Sequence, residues 1–243
     1  MKSAVKTLLV CTILGAVVNL NAQTVTVVAG NLTSGYMNVF NITGAPGYGA
    51  AAAGAYQFGS GWGLADLTSS FSGTTLTLGP NQINDGSSYW YIPAAGSGSG
   101  GPGAIGNKIM DANLYNETTG TYVGTTLNFT GNVLSDTLAN GPVNALGEGW
   151  TSVAFIKDFA PDYSSSVSVT APLVNGVFNI SLATINDPTR HVQYGFETIG
   201  PDVWSTDVGP FGSIVVIPVP EPSTLALAGL GGAALLSLIR RRK

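Results

Sequence analysis

The chain has 243 residues, of which 9% are charged and 44% are hydrophobic. An average soluble domain carries about 25% charged residues, and a disordered chain is poorer in apolar ones. The composition therefore excludes a disordered chain and favours a sheet protein covered by hydroxyl and amide groups. The length suits one domain with targeting segments at its ends.

The charges are unevenly distributed along the chain. Residues 23–218 contain only three basic residues, Lys108, Lys157 and Arg190, against twelve acidic ones, so this stretch has a net charge of −9. Phosphate recognition needs clustered Lys and Arg, and anionic lipid surfaces attract basic segments. We therefore expect the body of the protein to bind neither nucleic acid nor an anionic lipid surface.

Residues 1–22 have the three parts of a secretory signal peptide. Lys2 and Lys6 form a basic start, an apolar run follows, and the small residue Ala22 precedes Gln23. We predict cleavage between Ala22 and Gln23, so that the mature protein begins where a β-rich sequence begins.

Residues 23–215 are predicted to form an all-β domain, an antiparallel β-sandwich of jelly-roll type. Apolar and polar residues alternate in many short runs, as in 177–182, which is typical of strands with one buried face. Eleven strands separated by turn residues indicate two packed sheets. The glycine-rich segment 94–106 is predicted to be a loop. The predicted strands are 24–29, 37–42, 74–78, 88–92, 109–116, 122–129, 151–158, 167–171, 177–182, 191–199 and 213–217.

Residues 216–222 are predicted to be a proline-rich linker. Its second half is Val219, Pro220, Glu221 and Pro222. Proline fixes φ and pushes the preceding residue into an extended conformation. The linker should therefore be an extended, exposed strip that fits the groove of a processing enzyme.

Residues 223–239 contain no charged side chain and are predicted to form one transmembrane helix. As a helix they would span about 26 Å, close to the thickness of a hydrocarbon core. The cytoplasmic tail 240–243 is basic, and the positive-inside rule places the domain across the membrane from it. Its residues are Arg240, Arg241, Arg242 and Lys243.

The motif Pro220-Glu221-Pro222, the apolar segment 223–239 and the basic end together resemble the PEP-CTERM sorting domain of Gram-negative bacteria. The resemblance implies that an exosortase, a membrane-bound processing enzyme, recognises the motif. It implies export, anchoring in the inner membrane before processing, and then a place on the cell surface or in the extracellular matrix. A plain single-span anchor with incidental prolines is the alternative.

No catalytic residue, metal ligand or cofactor is predicted. His191 is the only histidine, no Gly-x-Ser-x-Gly motif occurs, and the only cysteine, Cys11, lies in the signal peptide. A zinc site needs several nitrogen or sulfur ligands.

A structural calcium ion stays open as an alternative because calcium binds clustered carboxylates. Two pairs of aspartates are close in the sequence: Asp158 with Asp162, and Asp202 with Asp207.

Aromatic residues give the first functional hypothesis, a non-enzymatic surface or matrix protein that interacts with exopolysaccharide. Exposed rings stack on sugar faces, and plain packing is the alternative. In the predicted strand 88–92, two rings share one face and the third takes the other. The candidate stacking residues are Trp62, Tyr89, Trp90, Tyr91 and Trp204.

The second hypothesis is a carbohydrate-active enzyme, a glycoside hydrolase or lyase, on the same fold. Glycoside hydrolysis needs two carboxyl groups about 5–9.5 Å apart. The glutamates of the domain are Glu117, Glu148 and Glu197, and they lie on separate predicted segments.

Overall fold

The computed structural model describes residues 22–42, 54–143 and 147–219, which form fourteen strands and one short 3₁₀ turn, Gly209–Phe211. The strands are β1 (Ala22–Thr26), β2 (Ser34–Asn41), β3 (Tyr56–Gly61), β4 (Ser69–Ser72), β5 (Thr75–Leu78), β6 (Tyr91–Ile92), β7 (Ile105–Gly106), β8 (Lys108–Thr119), β9 (Thr126–Asp136), β10 (Thr151–Phe159), β11 (Ser166–Pro172), β12 (Gly176–Ala183), β13 (His191–Pro201) and β14 (Ile214–Ile217).

Six strands form the first sheet, in which β9 is central. One edge of β9 pairs with β12. The other edge is divided between two strands, because β1 pairs with residues 126–130 and β14 with residues 132–136. β5 and β4 continue the sheet beyond β14. The strands nearest the two ends of the described chain therefore meet on one edge of β9.

The second sheet has the strand order β11-β10-β13-β8-β2-β3, and all its pairs are antiparallel. Its centre is the long pair β8 and β13, in register from Thr119 opposite His191 to Ile109 opposite Pro201. Strands of this length give the sheet a broad outer face. β6 and β7 form a separate two-stranded ribbon.

Aromatic rings from both sheets meet in one core. Phe129 on β9 lies 5.3 Å from Tyr194 and 5.4 Å from Phe196 on β13, measured between ring centroids. Phe178 on β12 adds a contact to each sheet. Full burial of such a side chain contributes roughly 1.5–3 kcal/mol, so these rings hold the sheets together.

The all-β prediction is confirmed for the described residues, with two corrections. The pairing is not purely antiparallel, because β1 runs parallel to β9. No hairpin fixes the direction of β1, since the chain after it crosses to β2 in the other sheet. The predicted strand 88–92 was wrong except for Tyr91–Ile92, since Ser87 O accepts hydrogen bonds from the N–H groups of Trp90 and Tyr91 and closes a turn.

Other boundaries differ from the predictions. The strand predicted at 122–129 begins at Thr126, and the sequence patterns missed β3, β4 and β7, which are short and rich in Ser and Gly. The predicted linker 216–222 was wrong in its first two residues. Val216 is fully buried and pairs with Leu76 and Val133, so the folded domain extends to Ile217.

Candidate functional site

The candidate functional site is a pocket of about 550 Å³ on the outer face of the second sheet, which we call the sheet groove. Side chains of β2, β8, β10 and β13 that point away from the core line it, together with a residue of the loop after β10. A pocket of this size lies within the usual range for small-ligand sites. Four aromatic residues, Tyr36, Tyr115, Phe159 and Tyr163, and five polar ones, Asn38, Asn113, Glu117, Lys157 and Gln193, line it.

The strand register brings these side chains together. Gln193 is paired with Glu117 on β8 and with Lys157 on β10, so three polar side chains form one row across the sheet. Tyr36 is paired with Asn113 in a parallel row. Alternate residues of a strand share a face, so such rows repeat along the groove.

A glycine on β13 lies in the outward-facing row between two aromatic residues. Gly195 is paired with Tyr115 on one side and with Phe155 on the other. A Cβ atom on Gly195 would lie 2.0 Å from Leu114 O and 2.7 Å from Tyr115 Cα. Only glycine fits this position, and it lets β8 and β13 approach each other closely beneath the groove.

A chain of hydrogen bonds fixes the polar side chains at the centre of the groove. The side-chain amides of Asn38 and Asn113 donate to the two oxygens of Asp111, at 3.0 and 2.7 Å. Lys157 Nζ donates to Asn113 Oδ1 at 2.9 Å and to Glu197 Oε2 at 2.6 Å. Five side chains from four strands are thus held in one arrangement before any ligand arrives.

The central carboxyl group is electrostatically perturbed. Burial raises the pKa of Asp111 above its ordinary value, and the nearby charge of Glu197 raises it further. The hydrogen bond from Asn38 and the charge of Lys157 oppose this shift. Asp111 and Glu197 are therefore close enough for their charges to interact.

Tyr163 forms one rim of the groove. Its hydroxyl donates to Glu117 Oε1 at 2.9 Å, and Gln193 Nε2 donates to the other oxygen of Glu117. Its ring stacks on His191 with centroids 4.6 Å apart and planes 4° from parallel. Tyr163 has φ 58, a left-handed conformation that costs a non-glycine residue about 1 kcal/mol or more. Burial and the bond to Glu117 raise its pKa to about 12, so it stays a neutral donor.

The groove offers acceptors, donors and ring faces, with an excess of negative charge. Glu117 and Lys157 line the groove, and the carboxylates of Asp111 and Glu197 lie beside it in contact with lining side chains. The described residues thus bring three carboxylates together with one ammonium group. Fixed carboxylates and amides of this kind bind hydroxyl groups, and the tyrosine rings can stack on a flat apolar face. Anionic ligands are disfavoured by the charge.

The chain leaves the domain at the end of β14. Ile217 is the last residue of the strand, and Pro218 and Val219 follow as half-buried residues. Residues 218–243 match the family model of the PEP-CTERM protein-sorting motif. The chain carries a PEP-CTERM sorting motif. This confirms the predicted resemblance, and the motif marks an exported protein that an exosortase sorts.

The PEP-CTERM match is confined to that tail, and no curated protein and no solved structure matches the chain. Most targeting predictions fall outside the described residues: the signal peptide up to residue 21, Pro220, Glu221, Pro222, the helix 223–239 and the basic residues 240–243. Within the described ranges there is no helix of the length and apolarity needed to cross a membrane. Ala22 and Gln23, at the predicted cleavage site, are the first two residues of β1.

The predicted stacking residues lie away from the sheet groove. Trp90 and Tyr91 are 8% and 1% exposed, and Tyr91 Oη donates to Ile83 O. The stacking prediction was therefore wrong for these two rings, which belong to the core. The partly buried rings of Trp62, Tyr89 and Trp204 pack against that core, and stacking by them stays a prediction.

The three glutamates do not form a catalytic pair. Glu117 and Glu197 both lie in or beside the sheet groove, but Glu197 is paired with Asn113, four residues from Glu117. At about 3.4 Å per residue the two backbones are roughly 14 Å apart along the strand. Glu148 lies in the segment before β10, where its carbonyl accepts from Val143 N.

The aspartate pairs differ in their surroundings. Both oxygens of the fully buried Asp158 already accept hydrogen bonds, from Arg190 Nε to Oδ1 at 2.7 Å and from Ile185 N to Oδ2 at 2.8 Å. A calcium ion shared by Asp158 and Asp162 is therefore not supported. Asp202 and Asp207 line one smaller pocket, where calcium stays a prediction. No group of three metal-ligating side chains occurs among the residues that the structure describes.

The sequence patterns missed the sheet groove itself. Its residues come from strands far apart in the chain, and no local motif joins them. One signal was present: on β8 the outward positions Asp111, Asn113, Tyr115 and Glu117 are polar or aromatic in unbroken alternation. A solvated sheet face does not require carboxylate and aromatic residues to alternate in one row, so the pattern could have marked the site.

Proposed function

We propose that this chain is a non-enzymatic component of the cell surface or extracellular matrix, delivered by its PEP-CTERM tail, which binds polysaccharide in the sheet groove. Its domain is a jelly-roll-like β-sandwich. Before the exosortase acts, the predicted helix 223–239 holds the domain on the outer side of the inner membrane.

One observation carries the proposal: the hydrogen-bonded chain from Asn38 to Glu197 shares the outer sheet face with the aromatic rings of the groove. A sugar presents hydroxyl groups in fixed directions and a flat apolar face, and the groove has partners for both. Because the polar groups are already fixed by one another, little conformational entropy is lost when a ligand binds. The large outer face of the second sheet suits an extended polysaccharide chain better than a single small molecule.

The charge of the groove narrows the ligand class. Three carboxylates against one ammonium group repel uronates and sulfated sugars, and the net charge of −9 over residues 23–218 adds to this repulsion. We expect a neutral or amine-bearing polysaccharide.

The test is binding of the mature secreted protein to a glycan array and to polysaccharide from the native host. Tyr115→Ala should weaken binding by about tenfold through the loss of a ring face. Tyr56→Ala is the matched control, because Tyr56 is 57% exposed on β3 and does not line the groove. Absence of binding on both the array and the native polysaccharide would refute the proposal.

A carbohydrate-active enzyme is the second candidate, and the proximity of Asp111 and Glu197 favours it. They lie on neighbouring strands, offset by two residues, which places their Cβ atoms about 7 Å apart. In this structure both carboxylates accept hydrogen bonds from side chains of the groove. Release of reducing ends from the bound polysaccharide, abolished by Glu197→Gln, would establish this alternative.

A further inference from the structure

The outer face of the first sheet differs sharply from the sheet groove because it is almost free of charge. The six strands of the first sheet contain one charged residue, Asp136, at the very end of β9. Its outward positions carry hydroxyl, amide and aliphatic side chains. Examples are Thr24, Thr130, Asn132, Val177, Asn179 and Ser181. We call this surface the uncharged face.

The uncharged face is also where the sorting motif leaves the domain. β1 and β14 approach each other along one edge of β9, ending opposite Thr130 and Asn132. Beyond β1 the chain turns into the core, where Val27 is fully buried. Val27 thus occupies the inner side of the sheet at the end of β14. Ile217 lies in the middle of the sheet and points to its outer side.

The distance from the domain to the motif is short. The match to the sorting motif begins at residue 218, one residue after β14. Even a fully extended chain places residue 221 within about 14 Å of Ile217. An enzyme that binds 219–222 in a groove therefore lies within reach of the first sheet.

We infer that the uncharged face is a docking surface for the exosortase, which contacts it while reading the sorting motif. Uncharged hydroxyl and amide groups can be covered without the large desolvation penalty of ionised side chains. The 36 residues of the six strands, each covering about 4.8 Å by 3.4 Å, give roughly 600 Å² per partner. An interface of this size is typical of a transient contact, as an enzyme and its substrate require.

The experiment measures the fraction of processed C-termini by intact mass, in the native host and in an exosortase-null strain. Val177→Asp places a charge on the uncharged face, at a position 65% exposed, and should slow processing about tenfold. Val167→Asp is the matched control, because Val167 is 45% exposed on β11 of the other sheet. Its processing should equal that of the wild type.

A second variant tests the dependence on distance. Four Gly-Ser residues inserted between Ile217 and Pro218 lengthen the tether, so that the motif can be read away from the sheet. Among proteins that carry this insertion, the one with Val177→Asp should be processed as fast as the one without it.

Equal processing of Val177→Asp, Val167→Asp and the wild type would overturn the docking surface and leave the sorting assignment intact. A wild-type tail that is unchanged in the native host would overturn both. If Val177→Asp altered only the sedimentation of the protein, the face would join two copies of the chain, and the inference would be wrong.

Discussion

Lys157 and Glu197 form an ion pair beside the sheet groove, with Nζ 2.6 Å from Oε2 and side-chain exposures of 20% and 18%. The same ammonium group donates to Asn113 Oδ1 at 2.9 Å. Lys157 therefore links the carboxylate on β13 with the amide on β8. Through these two bonds, β10 is joined to β8 and β13 at the centre of the groove.

We expect Lys157→Met to destabilise the protein by about 1–2 kcal/mol in urea unfolding, because Glu197 and Asn113 lose a partner in a half-buried site. Polysaccharide binding should weaken in parallel as the groove side chains become mobile. The double variant Lys157→Met/Glu197→Gln removes the unpaired charge and should recover part of the stability. A single variant as stable as the wild type would show that the pair contributes nothing.

A buried ion pair joins β10 to the turn before β13. Arg190 Nε lies 2.7 Å from Asp158 Oδ1, and Asp158 is completely buried. Arg190→Met leaves that carboxylate buried and unpaired, which should cost about 3–5 kcal/mol of stability. In Arg190→Met/Asp158→Asn the charge is gone while an acceptor for Ile185 N remains, so part of the loss should return. Chemical denaturation of the wild type, Arg190→Met, Asp158→Asn and the double variant measures the coupling, and additive effects would contradict it.

Local patterns predicted the fold class because alternation is a property of single strands. The strand predicted at 177–182 is observed as Gly176–Ala183, with Phe178, Ile180 and Leu182 buried. The same reasoning failed at 88–92, where three consecutive aromatic residues suggested a strand. There the carbonyl of Ser87 closes a turn, the rings of Trp90 and Tyr91 lie in the core, and the ring of Tyr89 packs against it. Aromatic residues indicate burial as readily as strand, and only tertiary contacts distinguish the two.

The sheet groove could not be predicted from local patterns because strand order decides it. Asn38, Asn113 and Lys157 are adjacent only because β2, β8 and β10 belong to one sheet in the order found. Pairing between strands that lie far apart in the chain leaves no periodic signal in the sequence. The sorting motif, in contrast, is contiguous and was predicted from its residues alone.

Gly195 tests whether the close approach of β8 and β13 shapes the groove. A Cβ at this position would lie 2.0 Å from Leu114 O, a backbone atom that cannot rotate away. Gly195→Ala should therefore lower stability by about 1–3 kcal/mol and weaken polysaccharide binding. Gly98→Ala is the control, because a Cβ on Gly98 meets no atom within 4 Å. Equal thermal unfolding of the two variants would contradict the steric argument.

The stability of the protein should fall as pH rises through the neutral range, because of Asp202. Burial raises the pKa of Asp202 to about 8, against about 3.9 in an unfolded chain. Between these values the folded protein holds a proton that the unfolded chain has released. The stabilisation that protonated Asp202 contributes is therefore fully present below about pH 4. It falls by up to about 1.4 kcal/mol per pH unit as the pH rises from about 4 towards 8.

Thermal unfolding of wild type and Asp202→Asn between pH 5 and pH 8 measures this effect. The asparagine cannot titrate but keeps an acceptor for Lys108 N, which donates to Asp202 Oδ1 at 3.0 Å. We expect a flatter dependence of Tm on pH in the variant. Asp162→Asn is the control: Asp162 accepts hydrogen bonds from Ser164, which lower its pKa, so it titrates below this range. Parallel profiles for wild type and Asp202→Asn would show that Asp202 is already ionised in the folded protein.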